Sequence, residues 1–312
     1  MVKILLIDGD GGFPNLVLMK LSGYFKDQGH DVRFGSCNNP DKVYISCVFT
    51  WNREKALSAS AYYPDSELFF GGSGFNLNSV IPNEIEHHKP DYSLYPDFDF
   101  SLGFTTRGCI RKCGFCIVPE KEGLIRAHSP LKEFVEPGFK KIMLLDNNLL
   151  AYPKHEDILK ELIEIDKKVS FSQGLDIRLI NKRNSKLLNQ IKYYDSSFKD
   201  RRLYFSWDFP EIERDVKKGI SLLLDEGVQP KHLMFYVLMC YNTTYEQDLY
   251  RLETLIDLGV KPYVMLYNGL KGTYQHHMKR WIERRYYKMF PWMEYDKGDS
   301  QIHIKEMIDR HG

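Results

Sequence analysis

Short apolar runs alternate with amphipathic stretches along most of the 312-residue chain, and this alternation limits the possible folds. In the first hundred residues, the runs typical of buried strands are KILLIDG, DVRF, KVYISCVF and ELFFGG. After the first of them, NLVLMKLSGYFKDQG carries apolar residues near helical spacing and stops at Gly29. Strands that alternate with helices predict a parallel sheet that helices cover on both faces.

A second alternating series follows residue 100, with helical patterns between most of its strands. The candidate strands are LGFTTRG, KIMLLDNN, KVSFSQGLDIRL, RLYFSWD, HLMFYVLM and KPYVMLYN. These make about six βα units in roughly 180 residues, whereas a complete TIM barrel has eight units in about 250. The sequence therefore predicts an α/β protein in which a small doubly wound parallel sheet precedes a partial (β/α)6 TIM-like barrel.

Four segments are expected along the chain. They are a small α/β domain over 1–83, a linker rich in Pro, Asp and Tyr over 84–100, the partial barrel over 101–270, and a basic, aromatic extension over 271–312. The net charge of +1 gives no whole-molecule field that favours nucleic acid or membrane. No apolar run approaches the roughly 20 residues of a membrane span, and the start does not resemble a signal peptide. We expect a cytoplasmic protein with reduced thiols and no membrane partner.

The stretch TTRGCIRKCGFCIVPE places three of the six cysteines within eight residues, at Cys109, Cys113 and Cys116. In a reducing compartment, clustered cysteines indicate metal binding or catalysis. The three thiolates can converge on one inorganic centre, because Gly108 and Gly114 allow the backbone to turn sharply. Iron–sulfur cubanes usually take four cysteines, so three would leave one iron open to a substrate or cofactor.

A structural zinc site is the main alternative for this loop, because His128 or Cys240 could supply a fourth ligand. The C-x3-C spacing and the barrel context favour the iron–sulfur centre. Cys37, Cys47 and Cys240 are expected to be buried as small hydrophobic side chains. A non-catalytic iron–sulfur or zinc protein acting as scaffold or sensor is the alternative to an enzyme, and an electron-transfer protein ranks after it.

The pattern C-x3-C-x2-C, with Phe115 before the third cysteine and at the end of a strand, resembles the signature of the radical S-adenosylmethionine (SAM) superfamily. The flanks TTRGC and FCIVPEKEG are similar to the branch that includes methylthiotransferases and cobalamin-domain enzymes. The resemblance covers about residues 100–270 and implies a [4Fe-4S] cluster held by the three cysteines, with SAM on the open iron. Reductive cleavage would then give methionine and a 5′-deoxyadenosyl radical, which activates a C–H bond.

The resemblance also implies the surroundings of SAM. Phe115 would lie near the adenine, Gln173 could reach the ribose, and Arg178 is the natural partner of the methionine carboxylate. The other cofactor-binding candidates at strand ends are Asp146, Asn147, Asn148 and Asp176. The alternative for Asp146, Asp176 and Arg178 is a buried ion-pair network under the barrel mouth. The reaction would draw on an electron donor such as flavodoxin or ferredoxin.

The first domain resembles the cobalamin-binding domains that precede this barrel in some relatives, through KILLIDGDGGFPN and the later GGSG turn. The D-x-H-x-x-G motif of such domains is absent, and Asp8 and Asp10 lie in the corresponding loop without a nearby histidine. Cobalamin is one interpretation, and a degenerate domain that shapes the substrate channel is the other. Methylthiotransferases have a second, three-cysteine cluster in this region, where this chain offers only Cys37 and Cys47.

The segment HHMKRWIERRYYKMFPW, over 276–292, would form a helix with apolar residues on one side and Lys and Arg largely on the other. Such a basic face beside aromatic rings could bind a phosphate backbone and stack bases. The alternative is a capping helix that closes the open barrel. Together these patterns predict a radical SAM enzyme, with a nucleobase or nucleic acid weakly favoured as substrate over a peptide or small metabolite.

Overall fold

The computed structural model of the chain describes residues 1–267 and 274–295, and it divides into two compact units, Met1–Asn147 and Asn148–Gly312. Each unit combines helices with parallel strands, which confirms the predicted α/β class. Of the predicted C-terminal extension, residues 271–273 and 296–312 lie outside the described part of the chain. Within that part, no helix combines the length and apolarity that a membrane span requires.

The first unit contains most of the predicted early elements. Its strands are β1 (Lys3–Asp8), β2 (Asp31–Phe34), β3 (Lys42–Ser46), β4 (Glu67–Gly71), β5 (Ser101–Gly103), β6 (Thr106–Arg107), β7 (Arg126–Ala127) and β8 (Lys141–Leu144). Its α-helices are α1 (Leu16–Asp27), α2 (Arg53–Ser60), α3 (Asn83–Glu86), α4 (Val118–Lys121) and α5 (Leu131–Phe134). The four strands and the long helix predicted in the first hundred residues are therefore confirmed.

The first four strands form one parallel sheet in the order β2-β1-β3-β4. The chain moves to one side after β1 and to the other after β3, so right-handed connections place α1 and α2 on opposite faces. On the α2 face, Leu5 and Val43 pack with Ala56 of that helix in one buried cluster. The predicted doubly wound parallel sheet is confirmed.

A capping side chain and a glycine define the two ends of helix α1. The Asn15 side chain caps its start by accepting a hydrogen bond from the Leu18 amide at 3.3 Å. The same side chain donates to Ser46 Oγ at 2.8 Å, which ties the helix start to the end of β3. Beyond the helix, Gly29 has a φ of +77°, a conformation that glycine adopts without strain.

The segment 84–100 is fastened to α1 by two ion pairs. Lys20 pairs with Glu86 at 3.1 Å, and Lys26 pairs with Asp91 at 2.6 Å. Its buried apolar side chains are Ile85, Leu94 and Phe100. This segment therefore contributes to the core of the first unit.

The second unit supplies the remaining strands of the predicted series. Its described strands are β9 (Lys168–Phe171), β10 (Leu203–Ser206), β11 (Leu233–Met239) and β12 (Lys261–Leu266). Its described α-helices are α6 (His155–Ile165), α7 (Lys182–Gln190), α8 (Glu213–Asp225), α9 (Tyr245–Asp257) and α10 (Tyr274–Glu283). Strands β10, β11 and β12 form a parallel sheet in that order, with Leu203 opposite Leu233 and Met234 opposite Lys261. All six strands predicted after residue 100 are present, as β5, β8 and β9 to β12.

One fully buried arginine joins the carboxyl ends of two of these strands to a helix. Arg251 of α9 donates to the carbonyl oxygens of Trp207 at 2.6 Å and Leu238 at 2.9 Å, and to Asp248 Oδ1 at 2.5 Å. Trp207 directly follows β10 and Leu238 lies near the end of β11. Because the Asp248–Arg251 pair is fully buried, its energy depends on keeping both partners.

The change Arg251→Ala should lower the free energy of unfolding by about 3 kcal/mol or more, because it leaves the Asp248 carboxylate buried without its partner. Urea unfolding, followed through a spectroscopic signal of the second unit, measures the loss in the free energy of unfolding. Arg214→Ala, at an exposed position on α8, is the matched control and should change stability by about 0.5 kcal/mol or less. Equal effects of the two changes would contradict this role of Arg251.

Candidate metal centre

The three clustered cysteines lie on one loop of the first unit, between β6 and α4. All three lie outside any disulfide and are partly exposed. The Arg111 amide lies 3.3 Å from Cys109 Sγ and donates to it, and the Cys116 amide donates to the Cys113 carbonyl at 3.0 Å. Hydrogen bonds to the ligand sulfurs are among the features by which proteins tune iron–sulfur clusters. One of the three sulfurs therefore already accepts a hydrogen bond from the backbone of the loop.

The base of the loop is closed by backbone contacts that require glycine. Gly108 has a φ of +88°, and a Cβ added there would lie 2.3 Å from the Leu124 carbonyl oxygen. Its amide donates to Asn147 Oδ1 at 3.1 Å, and the next amide, of Cys109, donates to the Gly123 carbonyl at 3.1 Å. The chain entering the loop and the chain leaving it are thus in direct contact, and a side chain at position 108 would separate them.

The Asp146 carboxylate fixes the chain just ahead of the cysteines. It accepts the amide of Thr105 at 3.1 Å and of Thr106 at 2.6 Å, and their hydroxyls at 2.5 and 2.7 Å. Burial raises the pKa of Asp146, and these hydrogen bonds oppose the rise. The four donors occupy the carboxylate within the first unit, so its observed task is to hold the β5–β6 junction. Contact with SAM stays a prediction for this residue.

An ionic bracket spans the two ends of the cysteine loop. Arg107, two residues before Cys109, pairs with Glu86 at 2.7 Å and with Glu122, which follows the loop, at 3.0 Å. Its guanidinium also lies 4.0 Å from the ring centroid of Phe104, a cation–π contact. One guanidinium therefore links the chain that precedes the cysteine loop to the chain that follows it.

Glu86 is the centre of charge in this bracket. His128 Nε2 lies 3.0 Å from Glu86 Oε1, and the Lys20 ammonium lies 3.1 Å from the same oxygen. Burial alone would raise the pKa of Glu86, but the His128 hydrogen bond and the charges of Lys20 and Arg107 outweigh it, so that pKa stays well below its usual range. Sequence reasoning considered His128 as a zinc ligand and did not identify Glu86. The charged residues on both sides of the cysteine motif are the sequence feature that could have indicated this ion-pair network.

The predicted residues of the second unit form a polar group around one ion pair. Arg178 binds Asp176 through two contacts, Nε to Oδ1 at 2.6 Å and Nη2 to Oδ2 at 3.0 Å. Asn148, which is 4% exposed, donates to Asp176 Oδ2 at 3.4 Å. Gln173 is exposed, beside Gly174 with its φ of +82°. The alternative of an ion-pair network is thus observed for Asp176 and Arg178, and their contact with SAM stays a prediction.

Asp208 is a further carboxylate near this group. It follows β10 and accepts the Leu238 amide at 3.3 Å. Burial raises the pKa of Asp208, while the charges of Arg251 and Arg178 oppose the rise. A partly buried acid at the carboxyl end of a barrel-type strand is in the position typical of substrate-binding groups. Its place two residues after β10 is the sequence feature by which it can be found.

The donor set of the cysteine loop fits an iron–sulfur cluster with three protein ligands. Across residues 1–267 and 274–295, no three His, Cys, Asp or Glu side chains already stand in metal-binding geometry. The fit therefore rests on chemistry: three cysteines outside any disulfide lie on one short loop whose base is closed, and the first sulfur accepts a hydrogen bond from a backbone amide. Thiolates are the usual protein ligands of iron–sulfur clusters.

The carboxyl edge of the N-terminal sheet does not fit a histidine-ligated cobalamin. Asp10 accepts the Val48 amide at 2.5 Å and the Asn52 side-chain amide at 2.9 Å, and Asp8 accepts the Gly11 amide at 3.1 Å. Over the described strand-end loops 8–13, 46–52 and 71–75, no residue is a histidine. Both aspartates thus stabilise the loops at this edge of the sheet.

The change Asp146→Asn should lower the free energy of unfolding by about 3 kcal/mol, because an amide cannot accept all four donors of Thr105 and Thr106. It should also reduce the iron bound after anaerobic reconstitution, since the loop loses its anchor. Thermal unfolding and iron content measure the two effects. Asp166→Asn removes a carboxylate that is 69% exposed and should change neither. Full iron content in the Asp146→Asn chain would contradict the anchoring role.

Comparison with known proteins gives a partial match. No model of a known protein family matches the chain. A tRNA-2-methylthio-N(6)-dimethylallyladenosine synthase from Finegoldia magna is 26% identical over 162 residues, which cover 44% of this chain and 34% of that protein. The chain therefore spans about a third of the length of the relative it matches. This match supports the resemblance to the radical SAM superfamily and nothing finer.

Proposed function

We propose that this chain is a radical SAM enzyme that activates a C–H bond of a nucleobase within a nucleic acid. The observation that carries the proposal is the loop of three closely spaced cysteines outside any disulfide, whose two ends Arg107 and Asp146 fasten to the surrounding fold. A structural zinc loop needs a fourth ligand, and the His128 imidazole is engaged with Glu86. The partial match to a tRNA-modifying relative supports the same superfamily.

Cys109, Cys113 and Cys116 would hold the [4Fe-4S] cluster. When bound, such a cluster supplies the electron that splits a C–S bond of SAM, which releases methionine and the 5′-deoxyadenosyl radical. The chain contributes a fixed loop: the Glu86–Arg107–Glu122 bracket and the Gly108 turn keep the three thiols on one short, closed segment. Fixing the two ends of the loop before binding lowers the ordering cost of assembling the centre.

The chain's own residues can then bind and orient SAM. Phe115 is partly exposed next to Cys116 and offers a ring to the adenine. In the second unit, Asp176 holds Arg178 through two contacts, so the guanidinium has a fixed orientation from which to bind a carboxylate. Gln173 is exposed and has both a donor and an acceptor for ribose hydroxyls.

The proposal does not extend to methylthiolation by this chain. Cys47 is buried and its thiol lies 3.2 Å from the Phe49 carbonyl, while burial raises the pKa of both Cys47 and Cys37. Two cysteines alone cannot supply the three ligands of a second cluster. The tRNA-modifying relative is therefore a guide to the class of substrate and not to the outcome of the reaction on the base.

A nucleic acid is favoured as substrate because α10 and the segment that follows it present cations to solvent. Arg280, Arg284, Arg285 and Lys288 are exposed. The two tryptophans of this segment pack inward: Trp281 is 2% and Trp292 3% exposed, and Trp292 Nε1 donates to Tyr245 Oη at 2.6 Å. The segment is thus suited to contact phosphates, while its buried tryptophans stabilise the unit and do not stack bases.

The proposal predicts 5′-deoxyadenosine when the reconstituted chain is incubated anaerobically with SAM and dithionite, with and without bulk tRNA. Mass spectrometry measures the product. Cys113→Ala should abolish it, since one of three ligands is lost, whereas Cys37→Ala, outside the loop, should retain it. A loop that binds zinc in place of iron, or a loaded chain that forms no 5′-deoxyadenosine in either condition, would favour the scaffold or sensor alternative.

A further inference from the structure

Three strands of the second unit each begin beside positive charge. Arg201 and Arg202 immediately precede β10, Lys231 lies two residues before β11, and Lys261 is the first residue of β12. Because these strands are parallel and in register, with Leu203 opposite Leu233 and Met234 opposite Lys261, their amino ends lie along one edge of the sheet. The register therefore gathers cations that are far apart in the sequence.

The segment that follows α10, a helix that packs against β12, adds two more cations to this edge. Burial lowers the pKa of Lys261, and the charges of Arg202, Arg285 and Lys288 lower it further, so all three act on the same ammonium. Burial and the charges of Arg201, Lys231 and Arg202 likewise lower the pKa of His232. We call this group the basic edge; its members are Arg201, Arg202, Lys231, Lys261, Arg285 and Lys288.

The basic edge is poorly neutralised and partly fixed in place. Arg202 lies 3.9 Å from Asp200, whose side chain is 73% exposed. Within the described part of the chain, no carboxylate lies within 4.0 Å of the other five charges. Arg202 donates to the Lys231 carbonyl at 2.8 Å, and the Arg201 guanidinium lies 3.8 Å from the Tyr193 ring centroid. Like charges are therefore held together at a cost that a bound polyanion would relieve.

We propose that the basic edge binds the sugar–phosphate backbone of a folded RNA, at a distance from the reacting base. The inference rests on the proposed function, because it takes that RNA to be the substrate. The rest of the chain is near neutral, with a net charge of +1, so six cations on one edge are a local concentration suited to phosphates.

The length of the sheet favours RNA over a mononucleotide. Asp208 and Trp207 lie at the carboxyl ends of these strands, where barrel-type sheets carry their substrate-binding residues, and the basic edge lies at the amino ends. The seven residues of β11 span about 23 Å at the usual rise per residue. A single nucleotide cannot reach both ends, whereas the backbone of a folded RNA can.

The test is the binding of fluorescein-labelled bulk tRNA to the full chain, followed by anisotropy between 50 and 200 mM salt, about the range over which phosphate contacts weaken strongly. The triple change Lys261→Gln, Arg285→Gln and Lys288→Gln should weaken binding about tenfold or more and reduce the salt slope by about 2 to 3. The charge-keeping triple of Lys261→Arg, Arg285→Lys and Lys288→Arg should bind as the unmodified chain does.

The matched control removes three exposed cations from α7 of the same unit, through Lys182→Gln, Arg183→Gln and Lys186→Gln. It should leave tRNA affinity within about twofold, because these charges lie outside the basic edge. An equal loss in the control, a loss in the charge-keeping triple, or polyglutamate that competes as well as unlabelled tRNA would overturn the proposal. Repeating the measurement with Cys113→Ala separates this surface from the proposed chemistry, since RNA binding should persist without iron.

Discussion

The hydrogen bonds to the Asp146 carboxylate determine where the three cysteines lie. Strand β8 runs parallel to β5, with Leu144 opposite Gly103, so the residues that follow the two strands meet at the same edge. Asp146 then accepts both the amides and the hydroxyls of Thr105 and Thr106. A buried carboxylate is costly unless such donors satisfy it, so this junction has essentially one favourable arrangement. The cysteine loop begins three residues later, from a fixed point.

Both units use a buried or half-buried charge to fasten strand ends. In the first unit, Arg107 joins Glu86 and Glu122 across the cysteine loop. In the second, Arg251 joins the carboxyl ends of β10 and β11 to α9. Loops at strand ends lack regular backbone pairing, and a guanidinium with several donors can satisfy several carbonyls or carboxylates at once. The strand ends that carry the candidate site residues are thus held rigid by side chains outside the proposed chemistry.

Much of the fold could be predicted from the sequence, because strands and helices leave local patterns. The ten longer strands and α1 follow from apolar runs and turn residues, and the cysteine loop follows from spacing alone. The partners of buried charges could not be predicted: Glu86 lies 21 residues from Arg107, and only the fold brings them together. The basic edge was missed for the same reason, since the register of β10 to β12 gathers Arg202, Lys231 and Lys261.

The central claim is that the cysteine loop holds a cluster with one iron open to SAM. Electron paramagnetic resonance of the anaerobically reconstituted and reduced chain, recorded before and after SAM is added, tests it most directly. The account predicts about four iron atoms per chain and a spectrum that changes when SAM binds. A full complement of iron with a spectrum that SAM leaves unchanged would contradict it.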